Sequence, residues 1–197
     1  MTDFVPHRAV WTQEKSTRFR DELFSVTGGD EKFYRPAMAK SLIRFAETHG
    51  GNTGGETLFA ASPPGTLPIE AYSMVVAVDT IEHLQDDQLR PLLAELHRAL
   101  RPGGSIVVAA PNEEKLEMGE TVCPDCGCLF HRSQHVRSWT ADGLAAYMSE
   151  YGFDMLAATP WYLEERWWKS RLVSAVARAL RKRLPHFIYV GRKRVAG

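Results

Sequence analysis

Apolar and polar positions fall into two regimes along the chain, and the clearer one begins at Ser73. SMVVAV (residues 73–78) is an unbroken apolar run of strand length, the pattern of a strand buried on both faces. DDQLRPLLAELHRAL follows, with Leu89, Leu92, Leu93, Leu96 and Leu100 along one helical face. Arg101-Pro102-Gly103-Gly104 stops that helix and turns the chain into a second apolar strand, SIVVAAP. Thr140 reads as the N-cap of a further helix, TADGLAAYMSEYGF. DMLAATPWYL predicts a third strand interrupted or ended at Pro160, a helix runs from about 167 to 184, and HFIYVGRKR is a last strand. Strands and helices alternating in this order predict a layered α/β sheet, mainly parallel, with helices on both faces.

Upstream the pattern is weaker. Residues 11–29, WTQEKSTRFRDELFSVTGG, predict an entry helix ending at Gly28-Gly29. KFYRPAMAKSLIRFAETHG predicts a second, with Met38, Leu42, Ile43 and Phe45 as apolar positions and Gly50 as its stop. In the Gly- and Pro-rich stretch GNTGGETLFAASPPGTLPIEA, only TLFAAS has the make-up of a short strand. No internal repeat is present, and 197 residues suit one domain. Within it, 1–57 hold the first helices and the Gly-rich connection, and 58–197 the clearer pattern, with a Cys/His loop at 113–138.

Composition narrows the function classes. Lys plus Arg equal Asp plus Glu at 24 each, so the whole chain is not built for nucleic acid. Its start lacks the signal-peptide pattern, and no apolar run is long enough to span a membrane, which predicts a cytoplasmic protein. Cys123, Cys126 and Cys128 crowd into six residues, which argues for a metal or a turn rather than a disulfide framework.

Three constellations carry candidate chemistry. AVDTIEHL places Asp79, Thr80, Glu82 and His83 at the carboxyl end of a strand, where open α/β sheets bind ligands. There His83, with Glu82, suits general-base chemistry; alternatively both merely cap the following helix. In CPDCGCLFHRSQH, Cys123, Cys126, His131 and His135 have the types and spacing of a closed tetrahedral Zn²⁺ site, with Cys128 spare. The other reading is a turn with buried thiols and backbone-bonded histidines. The third is residues 166–184, where Leu172, Val173, Val176, Leu180 and Leu184 form an apolar stripe beside Arg171, Arg178, Arg181 and Lys182. A core-facing helix with a solvated basic side is the first expectation, and contact with an anionic membrane surface the second.

VVAVDTIEHLQDD…LLAELHRALRPGGSIVVAAPN resembles the second half of class I S-adenosylmethionine (SAM)-dependent methyltransferases. In that family an acidic-His strand end precedes a helix, an R-x-L-x-P-G-G turn and a strand ending in Pro-Asn. Arg98, Leu100, Pro102, Gly103, Gly104, Pro111 and Asn112 fall on that pattern. CP-x-CG…FHR-x-QH-x-RSWT and the opening WTQEKSTRF are similar to a bacterial subgroup. The resemblance covers roughly 11–50 and 58–194. It implies a Rossmann-like sheet with an antiparallel last strand, SAM as methyl donor, Asp79 and Thr80 as cofactor contacts, and a small-molecule, sugar or lipid-linked acceptor. In related O-methyltransferases of quinone biosynthesis an acid-x-x-Glu-His stretch binds a divalent cation, so the resemblance also implies Mg²⁺ on Asp79, Glu82 and His83. It implies further that the loop lids the substrate pocket, where Arg132, Gln134, His135 and Arg137 meet the acceptor.

One departure stands out. The family holds SAM with a strand, a glycine-rich turn, a helix and a second strand ending in an acid. Only residues 51–72 lie between the second helix and the strand at Ser73, too few for that unit. The glycines from Gly50 to Gly55 read as a flexible connection, and the fold is predicted to be truncated. Two function classes follow: a methyltransferase that holds SAM in a reduced way, or a catalytically inactive binding or scaffolding relative. The bare edge of the strand at 73–78 predicts either a homodimer or coverage by TLFAAS and the first two helices.

Overall fold

The computed structural model describes residues 7–10, 12, 14–15, 18, 36–59, 67–163 and 167–195. The entry helix expected over 11–29 lies outside them except for a few positions. Strand β1 is His7–Arg8, helix α1 Pro36–Thr48, β2 Thr57–Phe59 and β3 Tyr72–Val78. A 3₁₀ turn, Ile81–His83, leads to α2, Asp86–Ala99, and β4, Leu100–Pro111. A second 3₁₀ turn, Leu116–Gly119, precedes β5, Glu120–Val122, and β6, Cys128–His131. Helix α3 is Ala141–Glu150, β7 Phe153–Trp161, α4 Trp167–Ala179 and β8 His186–Lys193.

The central sheet has the order β2-β3-β4-β8-β7. Alternate residues of its apolar strands point to opposite faces, so both faces need cover. Met74, Val76, Val107, Ala109, Ile188 and Val190 receive Leu42, Phe45 and Ala46 of α1. Val75, Ile106, Val108 and Tyr189 receive the leucines of α2 together with Leu144 and Met148 of α3. Thr140 caps α3 as expected, its Oγ1 accepting from the Gly143 N–H at 2.9 Å.

Four expectations change. The sheet is mixed rather than mainly parallel: β2, β3 and β4 pair in parallel, but β8 is antiparallel to both β4 and β7. The antiparallel last strand lies inside the sheet, so it converts two interfaces instead of one. Residues 101–104 do not separate helix from strand; β4 starts at Leu100, and its pairing jumps from Tyr72↔Leu100 to Met74↔Ser105. Gly103 adopts φ +70° in that bulge, and a Cβ at Gly104 would lie 2.8 Å from the Arg101 carbonyl oxygen. Strand β7 runs through Pro160 to Trp161, which an edge strand tolerates because Pro lacks only an N–H. The glycines from Gly50 to Gly55 connect α1 to β2, which lies parallel against Met74, Val75 and Val76 and covers the edge of β3.

The fourth change concerns α4, whose apolar stripe faces solvent. Trp168, Leu172 and Leu180 are 62%, 56% and 60% exposed, and Val176 is exposed as well. The inward side carries Ser170 and Ser174, both fully buried. Ser174 Oγ accepts from the Tyr162 N–H at 2.9 Å, so the helix turns a serine inward to satisfy a backbone donor where β7 ends. Leu184, also counted in the stripe, is buried beyond the helix end. Replacing Leu96 with Ala is predicted to cost about 3 kcal/mol, whereas Leu172→Ala stays within about 0.5 kcal/mol. Urea unfolding of the two variants checks this, and the opposite ranking would mean that α4 buries its leucines.

Candidate functional site

Strands β3 and β4 end side by side, the Asp79 N–H donating to the Ala109 carbonyl at 2.9 Å. Three non-glycine residues in the left-handed region border this edge: Asp79 (φ 44°), Glu113 (φ 50°) and Gln134 (φ 56°). Each costs on the order of 1 kcal/mol and persists because its surroundings fix it. Thr80 Oγ1 donates to the Val78 carbonyl at 2.9 Å. The Asp79 carboxylate lies 3.8 Å from His186 Nε2 at the entry of β8.

Ile81 enters the core and draws the 3₁₀ turn inward, carrying Glu82 to 1% exposure. Both Glu82 carboxylate oxygens are buried with no hydrogen-bond partner beyond the residue's own backbone N–H. Burial, reinforced by the negative charges of Asp79 and Glu114, pushes its carboxyl up to about 8. The capping role considered for Glu82 and His83 is not the one they take. Gln85 starts α2, its N–H donating to Gln88 Oε1 at 3.1 Å.

Residues 113–138 fold back over this turn. The segment leaves β4 at Asn112, whose Nδ2 donates to the Leu184 carbonyl, and returns to it through a parallel bridge at Trp139. Between them the β5–β6 hairpin, joined by β1, makes a second small sheet that the residue pattern had not signalled. The Val136 N–H donates to the Glu82 carbonyl at 2.9 Å and ties the loop to the strand end. As a result His135 meets His83 edge-on with ring centroids 4.8 Å apart, and stacks on His131 at 4.7 Å. Glu114 lies beneath the stacked pair, Oε2 at 2.5 Å from His135 Nδ1 and Oε1 at 3.6 Å from His131 Nε2. Gly119 is required here, since a Cβ would lie 1.8 Å from His131 Nε2.

Among the described residues two clusters bring ligand atoms within 4.8 Å of one another: Glu82, His83 and His135, and Glu114, His131 and His135. Neither matches the sets read from the sequence. Asp79 joins neither cluster among the described residues, so the Asp79–Glu82–His83 trio proposed for Mg²⁺ is not assembled; Asp79 turns to His186 instead. The Cys123–Cys126–His131–His135 set is not assembled either. The cysteines occupy the hairpin tip, where the Cys123 N–H donates to the Cys128 carbonyl. His131 lies opposite Glu120, three residues along β6 and about 10 Å from Cys128. Cys126 is exposed, and the backbone N–H groups of Cys126 and Asp125 hold the Cys123 thiol below its ordinary value.

Sequence reasoning missed Glu114 and His186. Glu114 belongs to none of the three constellations, although it lies only three residues beyond Pro111, the last residue of β4. Beside it opens a cleft of about 540 Å³ lined by Asn112, Glu114, Lys115, Arg132 and Arg183. Of the expected acceptor contacts, Arg132 therefore reaches a cavity. Arg137 instead pairs with Asp86 at 2.9 Å and covers the Trp139 ring.

The Glu82 environment has a pH signature. Its folded pKa of about 8 exceeds the reference 4.5, so the folded state holds the extra proton and stability falls as pH rises between those values. In chelator-treated protein, Glu82→Gln is predicted to remove this slope and to gain up to on the order of 4 kcal/mol near pH 8. Denaturant unfolding from about pH 5 to about pH 8 measures it, and parallel profiles for both proteins would refute it.

A sequence model of the family described as a methyltransferase domain matches residues 8–158. None of the curated proteins matches the chain. Among solved structures, 1,6-didemethyltoxoflavin-N1-methyltransferase of Burkholderia thailandensis, crystallised with 1,6-didemethyltoxoflavin and S-adenosylhomocysteine, is similar with a TM-score of 0.55 and 13% identity. The match covers 97% of this chain and 94% of that one, and the likeness is one of fold. A SAM-dependent methyltransferase from Mesorhizobium loti gives a TM-score of 0.45 at 16% identity, over 77% of this chain and 75% of the other. Another, from Methanosarcina mazei, gives 0.47 at 16% identity, over 78% of each. The family match spans well over half of the sequence, and this chain belongs to the methyltransferase-domain family.

Proposed function

We propose that the protein is a SAM-dependent methyltransferase that acts on a small-molecule acceptor at the carboxyl edge of β3 and β4. The observation that carries this reading is the family match over residues 8–158, laid on a sheet whose carboxyl edge carries Asp79 and brings Glu82 and His83 together with His135 of the loop. Ligands of open α/β sheets bind at that edge. The residues present fit a cationic sulfonium cofactor: the Asp79 carboxylate is partly open to solvent, Thr80 adjoins it, and an open cleft lies beside the loop. When bound, SAM supplies an electrophilic methyl group. Asp79 and Thr80 are proposed to hold its polar end, while Glu82, His83 and His135 receive the proton that the acceptor loses.

The setting of the acceptor is proposed from α4. Its exposed stripe of Trp168, Leu172, Val176 and Leu180 is bordered by Lys169 on one side and by Arg171 and Arg178, two turns apart, on the other. An apolar face with basic margins suits the interface of an anionic membrane. Among the described residues no helix is long and apolar enough to cross a membrane.

Calorimetric titration with SAM and S-adenosylhomocysteine tests the first proposal. Micromolar binding that weakens at least tenfold in Asp79→Asn is expected. Absence of binding at millimolar ligand would leave the inactive binding relative as the reading. Co-sedimentation with phosphatidylglycerol vesicles, but not phosphatidylcholine vesicles, tests the second, with Leu172→Asp/Leu180→Asp abolishing it. A dimer in light scattering that the same variant dissociates would assign the stripe to a second copy instead.

A further inference from the structure

A carboxylate buried without a partner is costly, and native structures resolve it by a proton, a counter-charge or a metal. Glu82 is 1% exposed and both its oxygens are orphaned, yet it lies against two imidazoles, with one ligand atom from each residue within 4.8 Å of the others. Hydrogen bonding decides which nitrogens are available. Glu114 Oε2 lies 2.5 Å from His135 Nδ1, which places a proton on Nδ1 and leaves the Nε2 lone pair free to coordinate. A carboxylate on the far nitrogen is the arrangement that orients metal-binding histidines and raises their basicity.

The same reasoning excludes the competing cluster. His131 Nδ1 accepts the backbone N–H groups of Ser133 and His135, each at 3.2 Å, so the ring proton of the neutral form sits on Nε2. That nitrogen faces Glu114 at 3.6 Å and presses on Gly119, leaving no lone pair for an ion.

We propose that Glu82, His83 and His135 bind a late first-row divalent ion of the zinc class, with Glu114 as the outer carboxylate that fixes His135. Two imidazoles and one carboxylate suit zinc-type ions, whereas Mg²⁺ prefers a shell of oxygens. Three protein ligands leave a position open. This deepens the proposed activity: with the ion bound, Glu82, His83 and His135 act as its ligands in place of proton acceptors, and an acceptor hydroxyl in the open position would release its proton to solvent more readily. The ion would also join the loop to the end of β3, adding to the Val136–Glu82 hydrogen bond.

The test uses the full chain and Zn²⁺ or Co²⁺ alone, with no SAM or acceptor, so its outcome is independent of methyl transfer. Chelator-treated protein is expected to take up one equivalent of Zn²⁺, and Co²⁺ to give the visible bands of a low-coordinate nitrogen–oxygen site. Glu82→Gln and His135→Ala should lower affinity at least a hundredfold while circular dichroism shows a retained fold. Glu114→Gln should lower it about 10- to 100-fold. Cys123→Ser/Cys126→Ser should leave it unchanged. Loss of binding in the cysteine variant with retention in Glu82→Gln would overturn the proposal, as would folded wild-type protein that binds neither ion.

Discussion

The parallel pairing of β3 with β4 is the constraint on which the rest of this structure depends. Both strands are apolar on both faces, so neither can be left uncovered, and α1 on one side with α2 and α3 on the other follow from that requirement. Because the two strands run in the same direction, their carboxyl ends emerge together, with Asp79 bonded to Ala109. A cluster of polar residues at one edge is thus a consequence of the core, and the short β2 protects the flank on which it depends.

Stability and chemistry pull against each other at that edge. Ile81 gains by burial and takes Glu82 with it, into a place where a carboxylate has nothing to bond. Left-handed backbone at Asp79, Glu113 and Gln134 adds strain around the same spot. The loop from 113 to 138 offsets part of this through the Val136–Glu82 hydrogen bond, the Trp139 bridge and the contacts of Arg183 with the Asn112 and Glu113 carbonyls. Concentrated strain and a buried carboxyl group without a partner in one location, beneath a loop rich in histidine, is the pattern of a site shaped for a ligand.

Helix α4 shows the same priority of backbone over side-chain hydrophobicity. One donor at Tyr162 is satisfied by Ser174, and the leucines on the other side are turned outward. The basic residues flanking them then border an exposed apolar face, which is a surface suited to a partner rather than to water alone.

The sequence by itself determined the elements that hydrophobic burial controls. The run at 73–78, the leucines of α2, the Thr140 cap and the short TLF strand were all legible, because their signals are local periodicity and local chemistry. Pro-Gly-Gly and the acidic-His strand end likewise marked the methyltransferase family. Spacing along the chain did not determine which ligands meet. Cys123 and Cys126 are near His131 in sequence, but a hairpin stretches them apart, while Glu114, seventeen residues before His131, is folded beneath it. Nor did periodicity tell which way α4 faces, since that depended on one unsatisfied N–H at the end of another element. Burial is written into composition and period; long-range pairing of polar groups exists only once strand register and loop return are set, and the tertiary structure decided both.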